Sequence, residues 1–310
     1  MNLTFRQLET FRLFARTQSV TETARLLRIS QPAVSQTLKD LEAQFGFALF
    51  VRSNGRTRLT TEAGSVLPDV ERMFAQMASL KGKAAELRDT QAGSLSIASV
   101  PSFTGDLLPK ALKAFRQERP NVSMRLEIHS ASDVVRQVRQ EYCDVGFAFL
   151  PFDEAGVAIQ PIMRMSMICL VPKDHHLAEK NVITATDLSG ETIIAHGAQT
   201  TPGFLLREGL RSDVSQFQML TTNQSMASIH LVQYGLGIAF THPLILPFDH
   251  RDAVVAIPYE QKVPLTFALV YSRNRPVPRL LVRFETVLRK IITAHCWDMQ
   301  AQGFDFETLI

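Results

Sequence analysis

Phe5, Leu8, Phe11, Phe14 and Ala15 recur at helical spacing, so residues 5–17 read as an amphipathic helix. Ser19-Val20-Thr21 interrupts it. Thr21 or Ser19 can cap a short second helix, TETARLLR, with Ala24 and Leu27 facing inward. Ile29-Ser30-Gln31 makes a tight turn. Pro32 suits the first turn of a third helix, where its missing N–H is not needed. Val34, Leu38, Leu41 and Phe45 form one buried stripe, and Gly46 ends it. Leu49, Phe50 and Val51 are strand-like, and Asn54-Gly55 signals a hairpin.

A different rhythm follows. Val66, Val70, Met73, Met77, Leu80, Ala84 and Leu87 alternate steps of four and three. That 3.5-residue period is a coiled-coil seam, which predicts pairing with a second copy. The plainer account packs the stripe on the chain's own body. Pro68 lies in the first turns of this helix, and Gln91-Ala92-Gly93 reads as a hinge.

From residue 94 strands and helices alternate, which predicts a mostly parallel, doubly wound sheet. SLSIASV, VSMRLEIH and CDVGFAF read as strands around two helices. Residues 157–171 read as one long strand, with Met163, Met165 and Met167 as core rather than metal ligands. A second set of αβ units runs to VVAIP, then PLTFALVYS and a last helix over 278–296. The tail AQGFDFETLI is left unassigned.

Composition changes this picture little. The 310 residues are 45% hydrophobic and 20% charged, an ordinary soluble globular balance with length for two or three domains. The start, MNLTFRQLETF, lacks the pattern of a signal peptide, and no stretch is apolar enough to span a membrane. Cys143, Cys169 and Cys296 lie far apart, which fits a reducing cytoplasm and neither a disulfide frame nor a zinc site. Charge changes it more. Residues 1–60 hold nine Lys/Arg against four Asp/Glu, a net of +5, which leaves −2 on the rest. A basic head on a near-neutral body suggests a polyanion partner for the head.

With its stripe inward, the third helix presents Pro32, Ser35, Gln36 and Lys39, with Ser30, Gln31 and Ala33 at its N-terminal end. Small residues allow close approach, Gln and Ser can bond base edges, and free N–H groups favour phosphate. A recognition helix in the major groove needs this surface. Arg52, Arg56 and Arg58 ride on the hairpin behind it, as a wing suited to backbone or minor-groove contact. The run TARLLRISQPAVSQTLKDLEAQFGFALFVRSNGRTRLTTEAG resembles the winged helix-turn-helix of LysR-type transcriptional regulators. The family's usual Ala-Ala pair on the second helix is Thr23-Ala24 here. The resemblance implies that Gln31, Pro32, Ser35, Gln36 and Lys39 face double-stranded DNA, with Arg52 and Arg56 on its backbone or minor groove. It also implies an α/β chain in three parts: an N-terminal winged helix-turn-helix (1–60), a long linker helix with hinge (61–93), and a two-lobed, periplasmic-binding-protein-like effector domain (94–310). Lobe one is then about 94–164 plus 268–296, and lobe two about 165–267. A homodimer through the linker, a tetramer of two dimers, and RNA polymerase as a further partner follow from the family alone.

In open αβ sheets ligands bind beyond the carboxyl ends of strands, here also the cleft between lobes. That rule names Ser99, Pro101, Ser102 and Phe103, then His129, Ser130 and Ser132, then Phe149 and Pro151 in lobe one. In lobe two it names His196, Gln199, Thr200 and Thr201, then Asn223, Gln224 and Ser225. Hydroxyl and amide groups at helix N-termini suit a small ligand with an acidic group. GSLSIASVPSFTGDLLP resembles the amino-acid- and opine-responsive branch of the family, which implies an amino acid or opine-like carboxylate. Asp144 is then either a partner for a cationic ligand end or structural. Aromatic or dicarboxylic acids are the other effector classes.

The rival class is an enzyme with a fused DNA-binding head. No G-x-S-x-G, H-E-x-x-H, P-loop or G-x-G-x-x-G is present. A Ser102–His pairing is conceivable, but no sequence pattern joins them. His175-His176 has no nearby cysteine, and adjacent side chains are expected on opposite sides, which argues against a metal. No catalytic residue, metal or cofactor is expected.

Overall fold

The computed structural model describes residues 2–53, 56–88, 93–153, 155–210, 218–246 and 253–310. It divides into two compact units, Met1–Leu80 and Lys81–Ile310.

The first unit holds α1 (Phe5–Thr17), α2 (Val20–Leu27), α3 (Gln31–Phe45), the hairpin β1 (Phe50–Ser53) and β2 (Arg56–Leu59), and the start of α4 (Thr61–Arg88). Each boundary has a local cause. Thr4 and Gln7 form a reciprocal capping box on α1. Ser19, not Thr21, caps α2, and Ser30 caps α3 by accepting from the Ala33 N–H. Gly46 closes α3 at φ 78°, a left-handed conformation that favours glycine. The stripe forecast for α3 is buried at Val34, Leu38 and Leu41, packed against Phe11, Phe14 and Leu49. Thr23 is fully buried, yet its hydroxyl is satisfied by the Ser19 carbonyl at 2.8 Å and the Thr17 hydroxyl at 2.8 Å. A threonine therefore fits where the family commonly has alanine. The turn at Asn54-Gly55 lies outside the described residues.

Helix α4 runs through Pro68 as one element. Its apolar seam divides in two. Val70 is buried with Ala63 and Phe74 in the head's own core, and Val66 and Met73 pack against it. Arg12 fastens this half by an ion pair to Glu71 at 2.6 Å and by lying over the Phe74 ring. A partner-facing position is thus corrected for Val70, while Val66 and Met73 stay half-buried at the edge of the same core: a 3.5-residue stripe cannot tell its own core from a partner's. Met77 is half-buried, Leu80 and Ala84 are exposed, and the Leu87 side chain lies outside the described residues. Of the forecast hinge, only Gly93 is described.

The second unit is two lobes, each with its own sheet. The six-stranded sheet has the order β13-β6-β12-β5-β3-β4. Its strands are β3 (Gly93–Ser99), β4 (Val122–Ile128), β5 (Val145–Leu150), β6 (Val157–Ser166), β12 (Pro264–Ser272) and β13 (Phe306–Thr308). Helices α5 (Leu107–Glu118), α6 (Ala131–Arg139) and α9 (Arg279–Ala301) accompany it. The other sheet has the order β11-β7-β10-β8-β9. It is built from β7 (Ile168–Pro172), β8 (Thr192–His196), β9 (Gln218–Thr222), β10 (Ile238–Thr241) and β11 (Val254–Pro258), with α7 (Thr201–Gly209) and α8 (Ser225–Gln233).

Three expectations are corrected here. Neither sheet is mostly parallel: β3 pairs β4 and β5 in parallel, but β12 pairs β5 and β6 antiparallel and β13 pairs β6 antiparallel. Strands that cross between lobes return in the opposite direction, and this mixes the sheets. The long strand over 157–171 breaks at Met167, so β6 and β7 serve different lobes. The last helix runs to Ala301, and the tail turns back so that β13 extends the first sheet with Phe306 buried.

The two crossings lie side by side. The Met167 N–H donates to the Val263 carbonyl at 3.0 Å, and the Val263 N–H donates to Ser166 Oγ at 3.1 Å. Met163, Met165 and Met167 are buried core. Asp144 is structural: it accepts from the Ser96 N–H and hydroxyl at 2.7 and 2.8 Å and pairs with Arg275 at 2.9 Å, which removes it as a ligand partner.

Candidate functional site: a DNA-facing helix and an interlobe cleft

The outward face of α3 begins at its N-terminal end. Ser30, Gln31, Pro32, Gln36 and Lys39 are exposed, and Ala33 and Ser35 are half-buried. Gln31 Nε2 donates to Thr21 Oγ1 at 2.7 Å, which ties the start of α3 to α2. Gln36 Nε2 donates to Asp40 Oδ1 at 2.7 Å, so an exposed carboxylate omitted from the sequence reading joins this face. Behind it, Glu42 Oε1 accepts from the Leu49 N–H at 2.7 Å and fixes where the hairpin leaves α3. Arg52 and Arg56 sit at paired positions of that hairpin, Arg52 opposite Thr57 and Arg56 opposite Ser53.

In the second unit one polar cluster spans both lobes. Ser102, in a single helical turn after β3, places its hydroxyl 2.8 Å from His242 Nε2. Ser225, the first residue of α8, places its hydroxyl 2.8 Å from the same nitrogen and 3.1 Å from His196 Nε2. The two serine hydroxyls are 3.4 Å apart. The Phe149 ring lies 5.1 Å from the His242 ring and forms the apolar wall. Thr201 adds a second link across the cleft, donating to the Pro151 carbonyl at 3.2 Å.

Burial sets the charge of this cluster. It pushes the His242 imidazole down to about 3, with His196 adding to the effect, and His196 down to about 4. Both rings are therefore neutral hydrogen-bonding groups at neutral pH. His242 Nδ1 is buried without a hydrogen-bond partner among the described residues. The fold thus brings together a Ser102–His pair that no sequence pattern joined, but burial limits what the pair can do. A ring held neutral by burial is a poor proton acceptor at pH 7, and among the described residues no carboxylate orients its other nitrogen.

Several residues named from the sequence fall outside this cluster. Ser99 is fully buried and donates to the Val100 carbonyl at 3.0 Å. Phe103 is core, stacked 4.9 Å from Phe147 and tilted 4.7 Å from Phe267. Both point inward because strand alternation and the turn after β3 expose Ser102 instead. Pro101 opens that turn half-buried. Ser130 and Thr200 cap α6 and α7, Thr200 also donating to the Gly197 carbonyl at 2.8 Å. Gln224 is exposed beside Ser225. At Gly203 a Cβ would strike the carbonyl oxygens of His196 and Gly197, so glycine lets α7 start against the end of β8. The residue missed is His242. It stands directly after β10, whereas His196 is the last residue of β8, so a strand-end rule extended to β10 would have reached it.

A cavity of about 450 Å³ lies elsewhere, lined by Ser166, Tyr259, Lys262, Gln300 and Phe304 among others. We place the candidate site in the cleft, because hydrogen-bonding groups of both lobes converge there.

The comparisons agree with this division. The model "Bacterial regulatory helix-turn-helix protein, lysR family" matches residues 5–64, and "LysR substrate binding domain" matches residues 88–291. Regulatory protein NocR of Agrobacterium fabrum (strain C58 / ATCC 33970) is 31% identical over 296 residues, covering 93% of this chain and 97% of that protein. The octopine catabolism/uptake operon regulatory protein OccR of Rhizobium meliloti is 29% identical over 286 residues, covering 92% and 94%. The crystal structure of CbnR, a LysR family transcriptional regulator, superposes with a TM-score of 0.75 at 19% identity, covering 93% of this chain and 99% of that one. The chain belongs to the LysR family: it is a DNA-binding transcriptional regulator with an effector-binding domain.

Proposed function

We propose that this regulator is non-catalytic, works in the cytoplasm as a homodimer or tetramer, and responds to an amino acid or opine-like carboxylate held between its lobes. The observation that carries the effector reading is the cluster of Ser102, Ser225, His196 and His242. Its neutral donors and acceptors, beside the N-terminus of α8, suit a carboxylate without demanding a formal positive charge. The name of OccR, which refers to octopine, an amino-acid conjugate bearing carboxylates, points the same way. Ligand contacts made by both lobes would hold the cleft closed and bias the paired heads.

Thermal shift of the full chain tests this against basic amino acids, opines, and aromatic and dicarboxylic acids. A ligand at about 100 times its dissociation constant adds roughly 2.7 kcal/mol. A selective shift by an amino acid or opine, lost in Ser102→Ala, supports the reading. A shift by aromatic or dicarboxylic acids alone replaces the effector class.

On the DNA side, Ser30, Gln31, Ser35, Gln36 and Lys39 form the reading face, with Arg52 and Arg56 on the backbone. Gln36→Ala is expected to lower discrimination between operator and random DNA by roughly 1–3 kcal/mol. Equal losses on both DNAs would remove Gln36 from base reading. Arg52→Ala is expected to weaken both alike and flatten the salt dependence.

A further inference from the structure

His175 and His176 stand in the turn after β7, and Glu191 stands immediately before β8. The expectation that the two histidines point apart fails, because a turn does not alternate as a strand does. Their rings lie side by side, centroids 4.4 Å apart at 34°. Both face one carboxylate. His175 Nε2 is 3.3 Å from Glu191 Oε2, and His176 Nε2 is 3.6 Å from Oε1. One ligand atom from each residue can be chosen so that all three lie within 4.8 Å of one another.

We propose that His175, His176 and Glu191 form a binding site for a divalent first-row transition-metal ion, represented by Zn²⁺. The donor set is two imidazoles and one carboxylate, suited to such ions and less suited to Ca²⁺ or Mg²⁺, which take oxygen. Donors bound at about 2.0–2.1 Å in tetrahedral geometry stand roughly 3.3 Å apart, so the His175–Glu191 separation of 3.3 Å already matches and the others close by small side-chain rotations. The scaffold is prearranged. The Ala178 N–H bonds the His175 carbonyl at 2.9 Å, and the Glu191 N–H bonds the Leu188 carbonyl at 3.1 Å. Leu177 and Leu188 anchor both turns in the core. The Glu191 side chain is 16% exposed and that of His175 21%, whereas that of His176 is 69%, so solvent reaches the fourth position.

One contact must yield. Leu177 N–H approaches His175 Nδ1 at 3.4 Å, and a metal on Nε2 requires a proton on Nδ1. That distance is at the weak limit of hydrogen bonding, so little opposes the change. The three cysteines do not compete: all are buried, and burial pushes the Cys143 thiol up to about 12 and Cys296 to about 11. Both turns belong to lobe two, and β8 carries His196 at its other end, so the ion would brace that lobe without entering the cleft.

The test titrates untagged, chelator-stripped full chain with Zn²⁺ against a chromophoric competitor, and with Co²⁺ by visible absorption. One equivalent per chain is expected, with a rise in melting temperature. His176→Ala, at the exposed ligand, is expected to weaken binding by at least about tenfold while leaving the metal-free melting temperature unchanged. Glu191→Gln is expected to weaken binding similarly. Absence of stoichiometric binding at about 100 µM, equal binding by His176→Ala, or equal binding of Ca²⁺ would each overturn the assignment.

Discussion

Lobe two carries two pairs of neighbouring histidines at opposite ends of its sheet, and they have nothing in common but the side chain. His196 and His242 lie 6.2 Å apart, buried among serine hydroxyls and Phe149. His175 and His176 lie 4.4 Å apart, in contact with solvent and with Glu191. Removed from water and given hydroxyl partners, an imidazole becomes a fixed neutral hydrogen-bonding group. Left near water beside a carboxylate, it stands with a second kind of donor that an ion can share. Environment, not residue type, separates the buried pair from the solvent-side pair.

Deleting one member of each pair gives the largest contrast. His242→Ala is expected to destabilise the chain by roughly 2–4 kcal/mol, through the cavity and the stranded Ser102 and Ser225 hydroxyls. Urea denaturation at pH 7 measures it, and a loss below about 0.5 kcal/mol would mean that the cleft histidine is not packed as described. Acid provides the next contrast. With folded values near 3 and 4 against an ordinary value near 6.5, the unfolded chain takes up protons first as pH falls. The stability present above about pH 6.5 is therefore lost progressively toward pH 4, by up to about 1.4 kcal/mol per pH unit for each buried ring. His242→Gln is expected to shallow this slope. A wild-type slope no steeper than that of His242→Gln would count against buried neutral imidazoles.

Smaller effects sharpen the same contrast. Ser102→Ala is expected to remove about 1 kcal/mol and to raise hydrogen exchange on both cleft faces. His176→Ala without metal is expected to change stability by less than about 0.5 kcal/mol. A larger loss there would make the solvent-side pair structural.

What the sequence revealed follows the same line between local and distant contacts. The head was legible because its signals are local: the stripe of Val34, Leu38 and Leu41 and the stop at Gly46 act within one or two turns, whereas the cap of α2 stayed open between Ser19 and Thr21, and Ser30 was read as a turn residue. The cleft was half legible. The strand-end rule reached Ser102, His196 and Ser225 and was not applied after β10, where His242 stands; the Ser102–His242 contact, 140 residues apart, has no sequence pattern. The rule also chose Ser99 and Phe103, because a residue's position after a strand does not say which way it points. The seam of α4 was read correctly as apolar, but its first half met its own Phe74 and Ala63. His175 and His176 were judged by strand alternation although they stand in a turn.

The tie at Met167 and Val263 has a mechanical consequence. Two separate connectors would let the lobes slide, twist and open independently. Cross-stitched by two hydrogen bonds, they resist sliding past one another, which favours rotation over translation between the lobes. A force applied across the cleft at Ser102 and His242 would then be felt as a turn of one lobe against the other rather than as slack in the connectors.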